Sequence, residues 1–174
     1  MGTEKATFAA GCFWGVEKVF GALPGVVSTQ VGYTGGTVAD PGYEEVCTGR
    51  TGHAEALEAV YDPSKISYAE LVAFFFEHHD PTTPNRQGND IGTQYRSAVF
   101  YHSPEQKKTA EAAIAALEKA KIFKDRVTTR VEPAGEFYRA EEYHQKYLKK
   151  NPFGYCHIQL QSAKIARVLK EARA

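Results

Sequence analysis

An α+β fold is predicted for this chain of 174 residues: a variant of the ferredoxin-like plait, with a mixed sheet, helices on one face and long functional loops. Three observations predict it. Hydrophobic periodicity changes along the chain in the order strand, helix, strand, strand, helix, strand. The two later helices carry explicit start signals. Two stretches, Thr34 to Gly52 and Asp80 to Tyr95, are rich in Gly, Asp, Asn, Thr and Pro and too long to be simple connections.

Lys5 to Ala10 reads as a short strand. Behind it Trp14, Val16, Val19, Phe20 and Leu23 recur at helical spacing, which puts Cys12 at a strand-to-helix turn. Val26 to Tyr33 and His53 to Tyr61 read as further strands. Ser67-Tyr68-Ala69-Glu70 is a capping box that opens a helix to about His79, with Pro81 as its stop. Arg96 to Tyr101 is strand-like, and Ser103-Pro104-Glu105-Gln106 starts an alanine-rich helix running to about Lys121. Val127 to Val131 is expected as an edge strand and Glu141 to Lys149 as another helix. Asn151-Pro152-Phe153-Gly154 is a turn that delivers Tyr155 and Cys156. In the tail, Ile165, Val168 and Leu169 form an apolar stripe flanked by basic residues, expected as a helix packed on the body.

The length suits a single catalytic domain over 1–174, with 151–174 as a C-terminal tail. Lysine plus arginine equals aspartate plus glutamate at 21 each, so nothing argues for nucleic acid as a partner. No apolar run is long enough to cross a bilayer, and the N-terminus lacks an apolar signal core; the expectation is a cytoplasmic chain without membrane association, and a monomer. Three cysteines, Cys12, Cys47 and Cys156, form no Cys-x-x-Cys pair and no metal-ligand spacing. That pattern excludes a disulfide scaffold and a zinc site and fits transient redox chemistry. No metal or cofactor is expected. His78 and His79, at a helix C-terminus, are read as partners of the last carbonyls.

Gly11-Cys12-Phe13-Trp14-Gly15 marks Cys12 as a nucleophile. Free amide hydrogens at a helix N-terminus favour a thiolate, so the Cys12 thiol is expected to be lowered from the ordinary cysteine value. Gly11 is expected to clear the approach to the sulfur, and Phe13 with Trp14 to supply apolar walls. The competing reading is a small buried hydrophobe in the core, a common role for cysteine.

This string resembles the active-site motif of the peptide methionine (S)-sulfoxide reductases, the A-type methionine sulfoxide reductases. Gly32-Tyr33-Thr34-Gly35-Gly36, Tyr43-Glu44-Glu45-Val46-Cys47, Gly52-His53-Ala54-Glu55-Ala56, His79-Asp80-Pro81-Thr82-Thr83, Gln87-Gly88-Asn89-Asp90, Gly92-Thr93-Gln94-Tyr95-Arg96-Ser97 and Gly154-Tyr155-Cys156 resemble further blocks of that family, in family order. The resemblance implies thiol-dependent reduction of the S epimer of methionine sulfoxide, free or within peptides and proteins, recycled by thioredoxin.

Reducing a sulfoxide takes a nucleophile for sulfur and a proton for oxygen. Cys12 is the implied nucleophile and Glu55 the implied acid: on a strand Glu55 shares a face with Leu57, Ala59 and Tyr61, where burial raises a carboxyl pKa, while Glu58 points to the other face. Tyr43, Tyr95 and Asp90 resemble residues that bind or polarise the sulfoxide oxygen. Phe13 and Trp14 become the pocket for the methyl on sulfur, one buried methyl being worth about 1 kcal/mol. The sulfenic acid left on Cys12 is expected to condense with Cys156 on a segment free to swing onto the site, and Cys47 is a bystander. Many relatives carry a further recycling cysteine in a glycine-rich tail; no cysteine follows Cys156 here, which favours direct reduction of the Cys12–Cys156 bond. A thiol peroxidase or redox sensor, and a non-catalytic peptide-binding module, are the alternatives.

Overall fold

A computed structural model describes residues 2–173. Its main sheet has six strands in the order β7-β6-β1-β3-β2-β8: β1 (Glu4–Ala10), β2 (Val26–Thr34), β3 (Ala54–Tyr61), β6 (Ser97–Tyr101), β7 (Arg130–Pro133) and β8 (Tyr138–Arg139). All pairings are antiparallel except β6 with β7, so the sheet is mixed, as expected. A second, two-stranded ribbon pairs β4 (Arg86–Gln87) with β5 (Asp90–Ile91). The helices are α1 (Phe13–Gly21), α2 (Tyr43–Cys47), α3 (Tyr68–Glu77), α4 (Pro104–Lys119), α5 (Tyr147–Lys150) and α6 (Ile165–Arg173).

Alternation along the strands divides the interior in two. Ala6, Phe8 and Ala10 of β1 share one face with Leu57, Ala59 and Tyr61 of β3, and α1 and α3 cover it with Val16, Phe20, Leu71 and Phe75. Phe8 is its centre, stacked 5.1 Å from Phe75 and 5.3 Å from Phe20. The opposite face carries small residues, Ala9, Ala54, Ala56 and Ala98, beside Phe100, because a chain segment rather than a helix lies on it through Ala134 and Phe137.

The start signals work as read. Ser67 Oγ accepts from the Glu70 amide at 3.0 Å while Glu70 accepts from the Ser67 amide at 3.0 Å. Ser103 caps the Gln106 amide at 3.2 Å, but the Gln106 side chain is used elsewhere, donating to the Lys5 carbonyl at 2.9 Å and so tying α4 to β1. His78 and His79 each meet a carbonyl of the last turn of α3, those of Phe74 and Phe75, at 2.7 Å.

The C-terminal third departs from the expectation. The helix expected over Glu141 to Lys149 is a 3-10 turn (Glu142–His144) followed by the short α5, separated by Lys146 at φ 51°. Gln145 supplies the reason. Its side-chain oxygen accepts from the Val31 amide at 3.0 Å, and its nitrogen donates to the carbonyls of Val31 and Ala140 at 2.9 Å. One amide thus continues the hydrogen bonding of β2 past β8, and holding it there takes Gln145 out of helical conformation. The expected edge strand sits slightly later than read, and the two long loops are structured by α2 and by the β4–β5 ribbon. The tail helix α6 buries Ile165 and Leu169. Among the described residues no helix is long and apolar enough to cross a membrane.

Candidate active site

β1 ends at Ala10 and α1 begins at Phe13, leaving Gly11 and Cys12 to make the turn, and Cys12 is the N-cap of α1. The sulfur's surroundings are drier than the sequence suggested: Cys12 is only 8% exposed. Burial, followed by the charge of Glu55, pushes the Cys12 thiol well above the ordinary cysteine range, against the pull of the Trp14 amide. This corrects the expected lowering. The helix N-terminus does act on the sulfur, but its Phe13 amide is already committed to Glu55, and desolvation outweighs what remains.

Glu55 lies on β3 with Leu57, Ala59 and Tyr61 toward the helices, and is 2% exposed. Its Oε1 accepts from the Phe13 amide at 3.2 Å. Burial raises its carboxyl to about 8, with Asp90 adding to the rise and the Phe13 bond opposing it. At neutral pH this carboxyl is mainly protonated and able to donate. Glu58, on the other face, accepts from Gln30 at 2.8 Å.

Tyr43 enters on α2 and Tyr95 on a 3-10 turn (Thr93–Tyr95). Burial pushes both phenols up, with Glu55 among the charges acting on each, so both stay protonated hydroxyl donors. Asp90, on β5, acts electrostatically on Cys12, Glu55 and Tyr95, and accepts from the Tyr155 hydroxyl at 3.2 Å. Cys12, Glu55, Tyr43, Asp90 and Tyr95, scattered over more than eighty positions, therefore form one cluster. Cys47, read as a bystander, lies beside the Tyr43 hydroxyl, one turn along α2.

The aromatic pair divides. Phe13 is 1% exposed, packed 5.8 Å from Tyr33 and 5.1 Å from His144. Trp14 is the half-exposed wall, and its indole is fixed on two sides: Nε1 donates to Nδ1 of His144 at 3.0 Å, and the ring stacks on Tyr147 at 3.7 Å. Glu141 completes the frame, accepting from the Tyr33 hydroxyl at 2.8 Å and the Tyr43 amide at 2.9 Å. The sequence reading missed Glu141, His144 and Tyr147 because it treated their segment as an ordinary helix. The available signal was a run of aromatic and titratable residues whose spacing gives no apolar stripe.

Cys156 is exposed, yet docked. Its Sγ would stand 3.2 Å from a Cβ built at Gly15, in the first turn of α1, and its charge acts on Cys12. It lies against the first turn of α1, beside the residue three positions after Cys12. Gly11 also differs from the expectation: at φ +90° it makes room for protein, since a Cβ there would meet His157 and Gln87 at 2.7 Å. Among the described residues no group of three or more His, Cys, Asp or Glu side chains is placed to hold a metal ion.

Comparison with known proteins finds similarity over most of the chain. A family described as "Peptide methionine sulfoxide reductase" matches residues 4–173. Peptide methionine sulfoxide reductase MsrA of Methanothermobacter thermautotrophicus is 57% identical over 155 residues, covering 89% of this chain and 92% of its own. Mxr1 from Saccharomyces cerevisiae in reduced form superposes with a TM-score of 0.85 at 40% identity, covering 92% of this chain and 93% of Mxr1. Mxr1 in complex with Trx2 gives a TM-score of 0.61 at 27% identity over 92% of this chain and 91% of that one.

Proposed function

This chain belongs to the peptide methionine sulfoxide reductase family, and from that premise we propose how its residues carry the reaction. The enzyme is an oxidoreductase that reduces methionine sulfoxide by a thiol-dependent route, and the observation carrying the residue assignment is the buried Glu55 bonded to the amide next to Cys12. The substrate's methyl packs on Trp14, with Phe13 as backing, and its oxygen turns toward Glu55, Tyr43 and Tyr95. Only one configuration at sulfur then presents its back side to Cys12; we assign the S epimer, free or in a peptide. Asp90 orients the substrate amide or a water.

The resting site holds both protons the reaction uses, one on Glu55 and one on Cys12. Glu55 protonates the oxygen, which makes the sulfoxide sulfur electrophilic and the oxygen a leaving group. As Cys12 bonds to that sulfur, its proton passes to Glu55. The hydroxyl then passes from the substrate sulfur to the Cys12 sulfur as the bond between the two sulfurs breaks: methionine leaves as the thioether, reduced by two electrons, Cys12 is oxidised by two to the sulfenic acid, and no net proton is gained or lost. The raised thiol is compatible with this order, because deprotonation accompanies attack. Cys156 then displaces the oxygen as water, and thioredoxin reduces the Cys12–Cys156 disulfide; the Mxr1 complex with Trx2 supports that partner. The peroxidase and sensor readings fit less well, since both depend on an accessible thiolate.

We also assign a single catalytic domain over 1–174 acting as a monomer in the cytoplasm, a reducing setting that suits a thiol-dependent reaction. The test is mass analysis after one oxidised turnover without reductant. A Cys12–Cys156 crosslink is expected, and a Cys12–Cys47 crosslink in its place would refute the resolving assignment.

A further inference from the structure

The two glycines that bracket the nucleophile have partners in the tail. A Cβ at Gly11 would stand 2.7 Å from Nε2 of His157, and a Cβ at Gly15 would stand 3.2 Å from Sγ of Cys156 and 3.0 Å from Cγ1 of Ile158. The missing side chains make a slot across the start of α1, and Cys156-His157-Ile158 lies in it. His157 is buried, and its Nε2 donates to the carbonyl of Ala10 at 2.9 Å, two residues before the nucleophile. A carbonyl only accepts, so Nε2 carries the hydrogen. Among the described residues Nδ1 has no hydrogen-bond partner. On the other side of Cys156, the Tyr155 hydroxyl donates to Asp90 at 3.2 Å. The thiol is anchored through both its neighbours.

We propose that His157 is the positioning residue of the resolving step: its bond to the Ala10 carbonyl seats Cys156 in the slot of Gly11 and Gly15, where its thiol meets the oxidised Cys12. This rests on the reading that Cys156 resolves the sulfenic acid. In that step the S–S bond forms as the S–O bond of Cys12 breaks, and the thiol proton of Cys156 leaves with the oxygen as water. The Cys156 sulfur is oxidised and the Cys12 sulfur reduced, with no outside oxidant. His157 acts on where Cys156 stands and takes no part in the attack on substrate.

The experiment is a single turnover of the full chain with N-acetyl methionine (S)-sulfoxide and no reductant. Methionine product is followed by rapid quench, the Cys12–Cys156 disulfide by alkylation and mass analysis, and the sulfenic acid by dimedone. Wild type is expected to form about one equivalent of product and then the disulfide. In His157→Ala product should form at the wild-type rate, while the disulfide forms at least about ten-fold more slowly and the dimedone adduct on Cys12 accumulates. His157→Gln, whose amide can donate to Ala10, should restore the disulfide rate to within about three-fold of wild type. Disulfide formation at the wild-type rate in His157→Ala would overturn the proposal. So would a loss of product formation in step with the disulfide in both variants, because His157 would then act on the nucleophile or the fold. Wild type that forms product without the Cys12–Cys156 disulfide would instead refute the underlying assignment of Cys156.

Discussion

The backbone amide of Phe13 donates to the carboxyl of Glu55 at 3.2 Å, so the first free N–H of α1 serves the acid and not the sulfur beside it. The bond ties the proton donor on β3 to the helix that carries the nucleophile. It also explains why Cys12, at the N-cap, is held above the ordinary thiol range by burial.

A carboxyl raised to about 8 works as an acid only below that pH. The single-turnover rate of sulfoxide reduction should fall as pH rises through about 8, and Glu55→Gln should lower the rate by about 100-fold or more and remove that limb. A pH profile of product formation in wild type and variant checks both.

The same group links activity to stability. The folded chain keeps the Glu55 proton to about 8 against an ordinary value of 4.5, so the folded state binds more protons between these values and stability falls as pH rises across the window. Glu55→Gln has no charge to bury, and its amide oxygen can still accept from Phe13. It should be more stable than wild type at pH 8, by on the order of 4 kcal/mol, and about equal at pH 4. Urea unfolding at the two pH values measures the difference.

The nucleophile is the least exposed of the three cysteines. Cys47 and Cys156 are exposed whereas Cys12 is buried with its thiol pushed up. Iodoacetamide at pH 7.5 should label Cys47 and Cys156 before Cys12 in the substrate-free protein. Peptide mapping over time gives the order, and preferential labelling of Cys12 would contradict the raised thiol.

Trp14 is the only tryptophan in the chain, so indole fluorescence reports on the methyl pocket alone. His144→Ala removes the acceptor of its N–H, leaving the stack on Tyr147 as the remaining hold. The emission should shift, and KM should rise by about ten-fold with a smaller change in kcat, because the pocket wall is loosened while Cys12 and Glu55 keep their places.

What the sequence disclosed and what it concealed follow one physical division. Local chemistry was readable: the capping box at Ser67, the alternation that turned Glu55 inward, the strand-to-helix turn at Cys12. These depend on neighbours within a few positions. Gln145 mimics a strand edge for Val31, 114 positions away, and that contact broke a helix the local pattern favoured. The acidity of Cys12 was misjudged for a related reason. A helix N-terminus is visible in the sequence, but the depth at which the fold buries it, and the carboxyl that takes its first amide, are not. Gly11 makes room for Gln87 and His157 and not for an approach to the sulfur, and neither neighbour is visible from its place in the sequence.

The most direct test of the account is turnover of the separated S and R epimers of N-acetyl methionine sulfoxide by wild type and Cys12→Ser, with dithiothreitol as reductant. Reduction of the S epimer alone, abolished in Cys12→Ser, is the predicted result and fixes stereochemistry and nucleophile together. Equal turnover of both epimers, or activity that survives in Cys12→Ser, would contradict it.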